Sequence, residues 1–362
     1  MNTKPTLLID EQKCRLNIAN MHARAKQHKV ELRPHFKTHQ SLEIGQWFKD
    51  DGIKKITVSS LDMAAYFAEA WNDISVAFPV NILEINTIND LANKITLNLL
   101  IESKDSLTYL KQHLHYPVNF YIKINIGNNR AGLSHYDIES IDTLLEIAKH
   151  SDKLNFIGFL GHAGQTYKCR SKGDIISTHH EAKKKLLSLK NEYKKLYPNI
   201  IASYGDTPSC SVAEDFEGID EIRPGNFAFY DLTQVYIGSC TVNDIAIALE
   251  CPVVAIHPKQ SEVVIYGGGV HLSKDRVEDP DLGTIYGKIA QKTDNGWSNV
   301  VLDTYVRSVS QEHGVIKIPK NNIDNYKVGD TIYVIPVHSC MTADLMKKYQ
   351  TLQGNIIHML TY

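Results

Sequence analysis

From Val30 to Tyr230 the chain repeats one pattern: a short apolar, β-branched run, then a longer stretch of helical periodicity. The runs that read as strands are 30–37, 55–60, 73–79, 95–101, 118–126, 154–162, 200–206 and 219–230. The helical stretches between them are 41–51, 61–71, 86–94, 103–113, 135–150, 175–197 and 209–216, and a surface helix over 11–29 comes first. Ser41 is placed to cap the helix that ends near Gly52. Eight strands, each but the last followed by a helix, predict a (β/α)8 TIM-type barrel; an open doubly wound sheet is the competing arrangement. In either fold chemistry collects at the C-terminal strand ends. There this reading places Lys37, Asn128-Asn129-Arg130, His162, Tyr204-Gly205-Asp206 and Arg223.

After about residue 240 the pattern changes to short strand-like runs at 244–249, 253–257, 262–266, 301–309, 314–318 and 331–337, separated by Pro, Gly and Asn turns. The expected organisation is therefore a barrel over 11–240 and an all-β domain over 241–362, which residues 1–10 can join. The net charge of -2 offers no basic face for nucleic acid. No apolar run reaches membrane-spanning length, so neither nucleic acid nor membrane is an expected partner. The 6 cysteines, at 14, 169, 210, 240, 251 and 340, form no CxxC pair, and the amino-terminal apolar run is too short for a signal peptide. A reduced, cytoplasmic setting is expected.

Several stretches carry chemistry. In Arg33-Pro34-His35-Phe36-Lys37-Thr38-His39, strand alternation would put His35, Lys37 and His39 on one face. A lysine among other cations loses some of its preference for being charged, and a neutral amine can form a Schiff base with a carbonyl. The plain alternative is a solvated strand end. Arg130, in Asn128-Asn129-Arg130-Ala131-Gly132, can hold an anionic or phenolic oxygen, or simply sit in a surface ion pair. Gly161-His162-Ala163-Gly164-Gln165-Thr166-Tyr167 sets a histidine among small residues that would admit a flat ligand. Tyr204-Gly205-Asp206-Thr207-Pro208-Ser209 opens a helix that Thr207 or Ser209 can cap, leaving N–H groups suited to a phosphate. In Ile222-Arg223-Pro224-Gly225-Asn226, breakage of the strand exposes N–H groups at Gly225 and Asn226. Gly267-Gly268-Gly269 lacks the Lys-Ser/Thr of a P-loop and reads as backbone conformation near a turn or interface. His338-Ser339-Cys340 spaces an imidazole and a thiol to grip one Zn²⁺, or else holds a structural histidine beside a buried cysteine.

Taken in order, the Lys37 stretch, Gly161-His162-Ala163-Gly164, Ile222-Arg223-Pro224-Gly225 and His338-Ser339-Cys340 resemble the D-threonine aldolase and eukaryotic-type D-serine dehydratase family, within the alanine racemase-like, fold type III pyridoxal phosphate enzymes. The resemblance spans nearly the whole chain. It implies a homodimer in which Lys37 binds the cofactor. It sets Arg130 near the cofactor's phenolic oxygen, His162 beside the ring and Arg223 near the pyridine nitrogen. Gln165, Tyr167 and Tyr204 fall among the cofactor or substrate contacts, and Thr207, Gly225 and Asn226 at the phosphate. His338 and Cys340 would bind Zn²⁺, with Mn²⁺ as the alternative ion. The aldolase branch shows His-x-Asp where this chain has His-x-Cys, which tilts the expectation toward D-serine dehydration to pyruvate and ammonia. A D-threonine-type aldolase, then a racemase or a non-enzymatic pyridoxal phosphate carrier, are the alternatives. The carrier is disfavoured by the about 120 residues after Cys240, enough for a domain with its own core.

Overall fold

A computed structural model describes residues 2–361. The chain divides into two compact units. One comprises Ala19–Lys37 and Phe48–Gly225; the other comprises the chain up to Ile18, Thr38–Trp47, and the chain from Asn226 onward.

The first unit is built on eight parallel strands: Glu31–Leu32, Ile56–Val58, Asp73–Pro79, Thr96–Ile101, Val118–Asn125, Leu154–Gly161, Ile201–Tyr204 and Glu221–Ile222. They pair in chain order, and the eighth returns to the first with Glu221 opposite Glu31. A bridge between His35 and Thr57 joins the first strand segment to the second. The row therefore closes into a barrel, which settles the choice against an open sheet. Its helices begin where the sequence supplies an oxygen for the first free N–H groups: Ser60, Ser103, Asp137 and Ser171 each accept from the backbone three residues on. Outside the strands, Phe36 packs with ring centroids 4.9 Å from Phe48, 5.0 Å from Phe67 and 5.1 Å from Trp71. That apolar cluster holds down the loop that carries Lys37.

Two expected strands are much shorter than expected. The run over 30–37 forms a strand only at Glu31–Leu32, with a single further bridge at His35, and Phe36–Thr38 is a 3-10 turn. Pro34 lacks an N–H for the ladder, so strand alternation ends before Lys37. His35, Lys37 and His39 therefore do not form one strand face; His39 is buried, and its Nδ1 accepts from Ser41 N at 3.2 Å. The run over 219–230 pairs only at Glu221–Ile222, again just before a proline, and Asn226–Ala228 is a 3-10 turn. Asp206, rather than Thr207 or Ser209, caps the helix Thr207–Val212. Its Oδ1 accepts from Ser209 N at 2.7 Å. Ser41 caps Leu42–Asp50 as expected, accepting from Ile44 N at 3.5 Å.

The second unit holds a nine-stranded sheet in the order Glu262–Tyr266, His313–Lys317, Gly296–Val309, Gly287–Thr293, Thr331–Pro336, Ile247–His257, Thr6–Ile9, Lys348–Thr351, Ile356–His358. Ile247–His257 also pairs back onto Glu262–Tyr266, so the first six strands close on themselves. Thr6 lies opposite Glu250, which makes the amino-terminal strand part of this sheet. The runs expected over 244–249 and 253–257 are one strand that continues through Pro252 with a register shift between Val253 and Ala255. Ile245, Ala248, Val277, Ile285, Trp297, Ile335 and Val337 form its apolar core. Among the described residues no helix is long and apolar enough to cross a membrane.

Candidate active site

At the C-terminal strand ends of the barrel unit, cations outnumber anions. Lys37 is exposed on its 3-10 turn, and Arg130 is exposed on the loop after the fifth strand. Lys123, on the fifth strand, and Arg223, after the eighth, are buried. His35 and His162 feel this field. Burial pushes His162 well below the ordinary imidazole range, and Lys123 and Lys37 push it further. Burial, then Lys37, Arg223, His162 and Arg130, do the same to His35. Both rings are therefore neutral near pH 7. The Nδ1–H of His162 donates to Gly205 O at 2.6 Å, which fixes the tautomer and leaves Nε2 as an acceptor.

Lys123 escaped the sequence reading. Burial pushes its amine down to about 7, helped by Arg223 and Arg130 and opposed by Glu102. Its signal was present: one lysine in the strand Val-Asn-Phe-Tyr-Ile-Lys-Ile-Asn, with Tyr121 two residues before it on the same face. Lys123, Arg130 and His162 line a small pocket with Asn125 and Asn128.

The Arg223 fork donates to Ser203 Oγ at 2.6 Å and to Gly161 O at 2.8 Å, so it is locked against the sixth and seventh strands. Gly205 permits its position, since a Cβ there would lie 2.7 Å from Arg223 N. Gln165, on the 3-10 turn Gly164–Lys168, donates to Ile126 O at 3.2 Å, while its Oε1 is buried without a hydrogen-bond partner. Tyr167 lies on the same turn. Thr207 Oγ1 accepts from Gly225 N at 3.3 Å, bringing those two together. Tyr204 is turned elsewhere: its hydroxyl donates to Ser209 Oγ at 3.0 Å and meets His179 Nδ1 at 3.1 Å, against the helix Lys172–Tyr193. Asp206 is buried, its Oδ2 has no partner, and burial pushes its carboxyl up to about 6.

The donor set fits pyridoxal phosphate. Lys37 offers an accessible amine for the aldehyde, and Arg130 and Arg223 offer positive charge for the anionic phosphate and phenolate. Buried Gln165 Oε1 is an acceptor with no hydrogen-bond partner.

In the other unit, His338 and Cys340 open the helix Ser339–Met346. Burial would lower the His338 imidazole, but Asp275 and then Cys340 raise it well above its ordinary range. Cys340 Sγ donates to Thr38 Oγ1 at 3.3 Å, and Thr38 follows Lys37 in the chain. Asn226, expected at the phosphate, spends its side chain here. Its Nδ2 contacts Asp231 Oδ2 at 2.7 Å, Ser339 Oγ at 2.9 Å and Cys340 Sγ at 3.5 Å. Asp231 Oδ2 also accepts from Ser339 N at 3.0 Å, which ties down the start of the helix. An imidazole and a thiol within reach of each other are a donor pair suited to Zn²⁺. Among the described residues no group of three or more His, Cys, Asp or Glu is placed to hold a metal ion.

Comparison with known proteins bears on both halves. The family model described as alanine racemase, N-terminal domain, matches residues 9–232, and the one described as putative serine dehydratase domain matches residues 246–352. The chain is 29% identical to the D-serine dehydratase of Dictyostelium discoideum, covering 98% of this chain and 94% of that protein. D-threo-3-hydroxyaspartate dehydratase from Delftia sp. HT23 superposes with a TM-score of 0.90 at 23% identity, covering 100% and 98% of the two chains. A cysteine-to-alanine mutant of a D-threo-3-hydroxyaspartate dehydratase has been solved in the metal-free form and superposes with a TM-score of 0.91. D-threonine aldolase from Filomicrobium marinum gives 0.82 at 19% identity, covering 99% and 94%.

Proposed function

The chain belongs to the alanine racemase N-terminal domain family, and from that premise we propose that it is a pyridoxal phosphate- and Zn²⁺-dependent lyase that dehydrates D-serine to pyruvate and ammonia. The observation that carries the dehydratase reading is the His338-Ser339-Cys340 pair at the start of one helix, in a chain whose carboxy-terminal part matches the serine dehydratase domain. The name of the Dictyostelium relative and the metal-free form solved for a related dehydratase support it.

Lys37 would hold the cofactor, and its amine would take the α-proton as general base. Pyridoxal phosphate supplies the electron sink for the α-carbon. Arg223, held by Ser203 and Gly161, presents a fixed positive charge to the ring. His162 keeps its proton on Nδ1 through Gly205 O, so it orients the ring without adding a charge. Arg130 draws in the anionic parts of cofactor and substrate. His338 and Cys340 would hold the ion, which would supply Lewis-acid assistance to loss of the β-hydroxyl. We place the enzyme in the cytoplasm as a homodimer, a state that sedimentation of the holoenzyme measures directly.

The test is product analysis with D-serine and L-serine, before and after chelation. Pyruvate from D-serine alone, lost on chelation and restored by Zn²⁺, is the expected result. Cofactor binding with no turnover of any D-amino acid would make the protein a carrier and overturn the proposal.

A further inference from the structure

We propose that Asp275 is a positioning residue of the metal site, holding His338 in the ring tautomer and orientation that present Nε2 to the ion. The inference rests on the reading of His338 and Cys340 as metal ligands.

His338 Nδ1 lies 2.7 Å from Asp275 Oδ2. A carboxylate can only accept at neutral pH, so the ring donates Nδ1–H to Asp275 and Nε2 is the nitrogen left to face an ion. The two side chains are 39% and 47% exposed. A pair as exposed as this adds little to stability, so its consequence lies in what it does to the ring. A carboxylate on the far nitrogen of a ligating histidine fixes the ring and raises its basicity toward the metal.

The fold brings Asp275 to this place through a separate stretch of chain. Gly267-Gly268-Gly269 leads into the short helix Gly269–Leu272. A Cβ at Gly268 would lie 2.5 Å from both Ser310 O and Gln311 O, so only glycine lets the segment pack against that turn. Leu272 O then accepts from the buried Thr342 Oγ1 at 3.1 Å. That bond ties the segment to the helix that begins with His338 and Cys340. Ser273, with φ of 70°, turns the chain outward, and its Oγ accepts from Asp275 N at 3.0 Å. The triple glycine is thus the root of a strut that ends at the metal ligand.

The experiment is Zn²⁺ titration of metal-stripped holoenzyme against a competing chelating dye, for wild type, Asp275→Ala, Asp275→Asn, His338→Ala and Cys340→Ala. The expected result is an affinity about 10–100-fold weaker for Asp275→Ala. Asp275→Asn should fall between it and wild type, because the amide oxygen still accepts Nδ1–H. It also serves as the measured variant if the alanine protein does not fold. Co²⁺ loading should retain the thiolate charge-transfer band in Asp275→Asn, showing that Cys340 still ligates. Wild-type affinity in both Asp275 variants, with binding lost in His338→Ala and Cys340→Ala, would overturn the inference alone. Wild-type affinity in His338→Ala and Cys340→Ala would overturn the metal assignment beneath it.

Discussion

Arg33 and Glu221 join the first and eighth barrel strands from inside: Nε donates to Oε2 at 2.5 Å, with both side chains 3% exposed. Arg33 also reaches Asp73 Oδ1 at 2.7 Å, and Glu221 Oε1 takes hydrogen bonds from Ser203 and from Tyr121 at 3.3 Å. Burial would raise the Glu221 carboxyl, but Arg33 and then Ser203 more than offset it and hold it below the ordinary value. The pair closes the barrel where its end strands are only two residues long.

Arg33→Met should therefore destabilise the protein by about 3–5 kcal/mol, because Glu221 is left charged and buried. Urea unfolding measures this, and Arg33→Met with Glu221→Leu should recover a large part of the loss. The native pKa of Glu221 is depressed, so its contribution is complete above the unfolded pKa, about 4.3, and is lost as pH falls through the lower native value.

Lys123 gives a different pH signature. Its native amine titrates near 7, against 10.5 ordinarily. Between those values the unfolded chain holds a proton that the folded one lacks, so apoprotein stability should rise with pH across that window. Lys123→Met should flatten the rise, as read from denaturation midpoints at pH 7 and pH 10.

Gly205→Ala places a methyl 2.7 Å from Arg223 N, a backbone atom that cannot rotate away. Overpacking of this kind costs about 1–3 kcal/mol. It should also weaken pyridoxal phosphate binding, because Gly205 O orients His162 and the shift moves Arg223. Cofactor titration of the purified variant checks both parts. Wild-type affinity with lowered stability would limit Gly205 to packing.

The barrel was legible because each strand and helix carries its own period, and Ser41 marks a helix start by local chemistry. Positions decided by tertiary partners were not legible. Pro34 and Pro224 end the first and eighth strands early, and nothing in a linear alternation weighs one missing N–H against a ladder. Tyr204 reads as a mouth residue until His179 and Ser209 claim its hydroxyl. Asn226 was placed at the phosphate by its backbone N–H, and nothing in the motif foretells that its side chain binds Asp231, Ser339 and Cys340. Lys123 was readable as a lone cation in an apolar strand. Asp275 lies in a loop with no motif, and only the fold shows its partner.

Lys37→Ala should abolish turnover while leaving the fold intact, because Lys37 is exposed and outside the barrel's polar core. Borohydride reduction followed by peptide mapping should place the cofactor on Lys37 in the wild type and nowhere in the variant. Full turnover by Lys37→Ala would remove it from the chemistry.

D-Threonine provides the most direct single measurement, because one molecule offers both candidate bonds. The Zn²⁺-loaded holoenzyme should convert it to 2-oxobutyrate and ammonia, breaking Cβ–O. Glycine and acetaldehyde instead would mean that Cα–Cβ breaks, and would contradict the dehydratase account of His338 and Cys340.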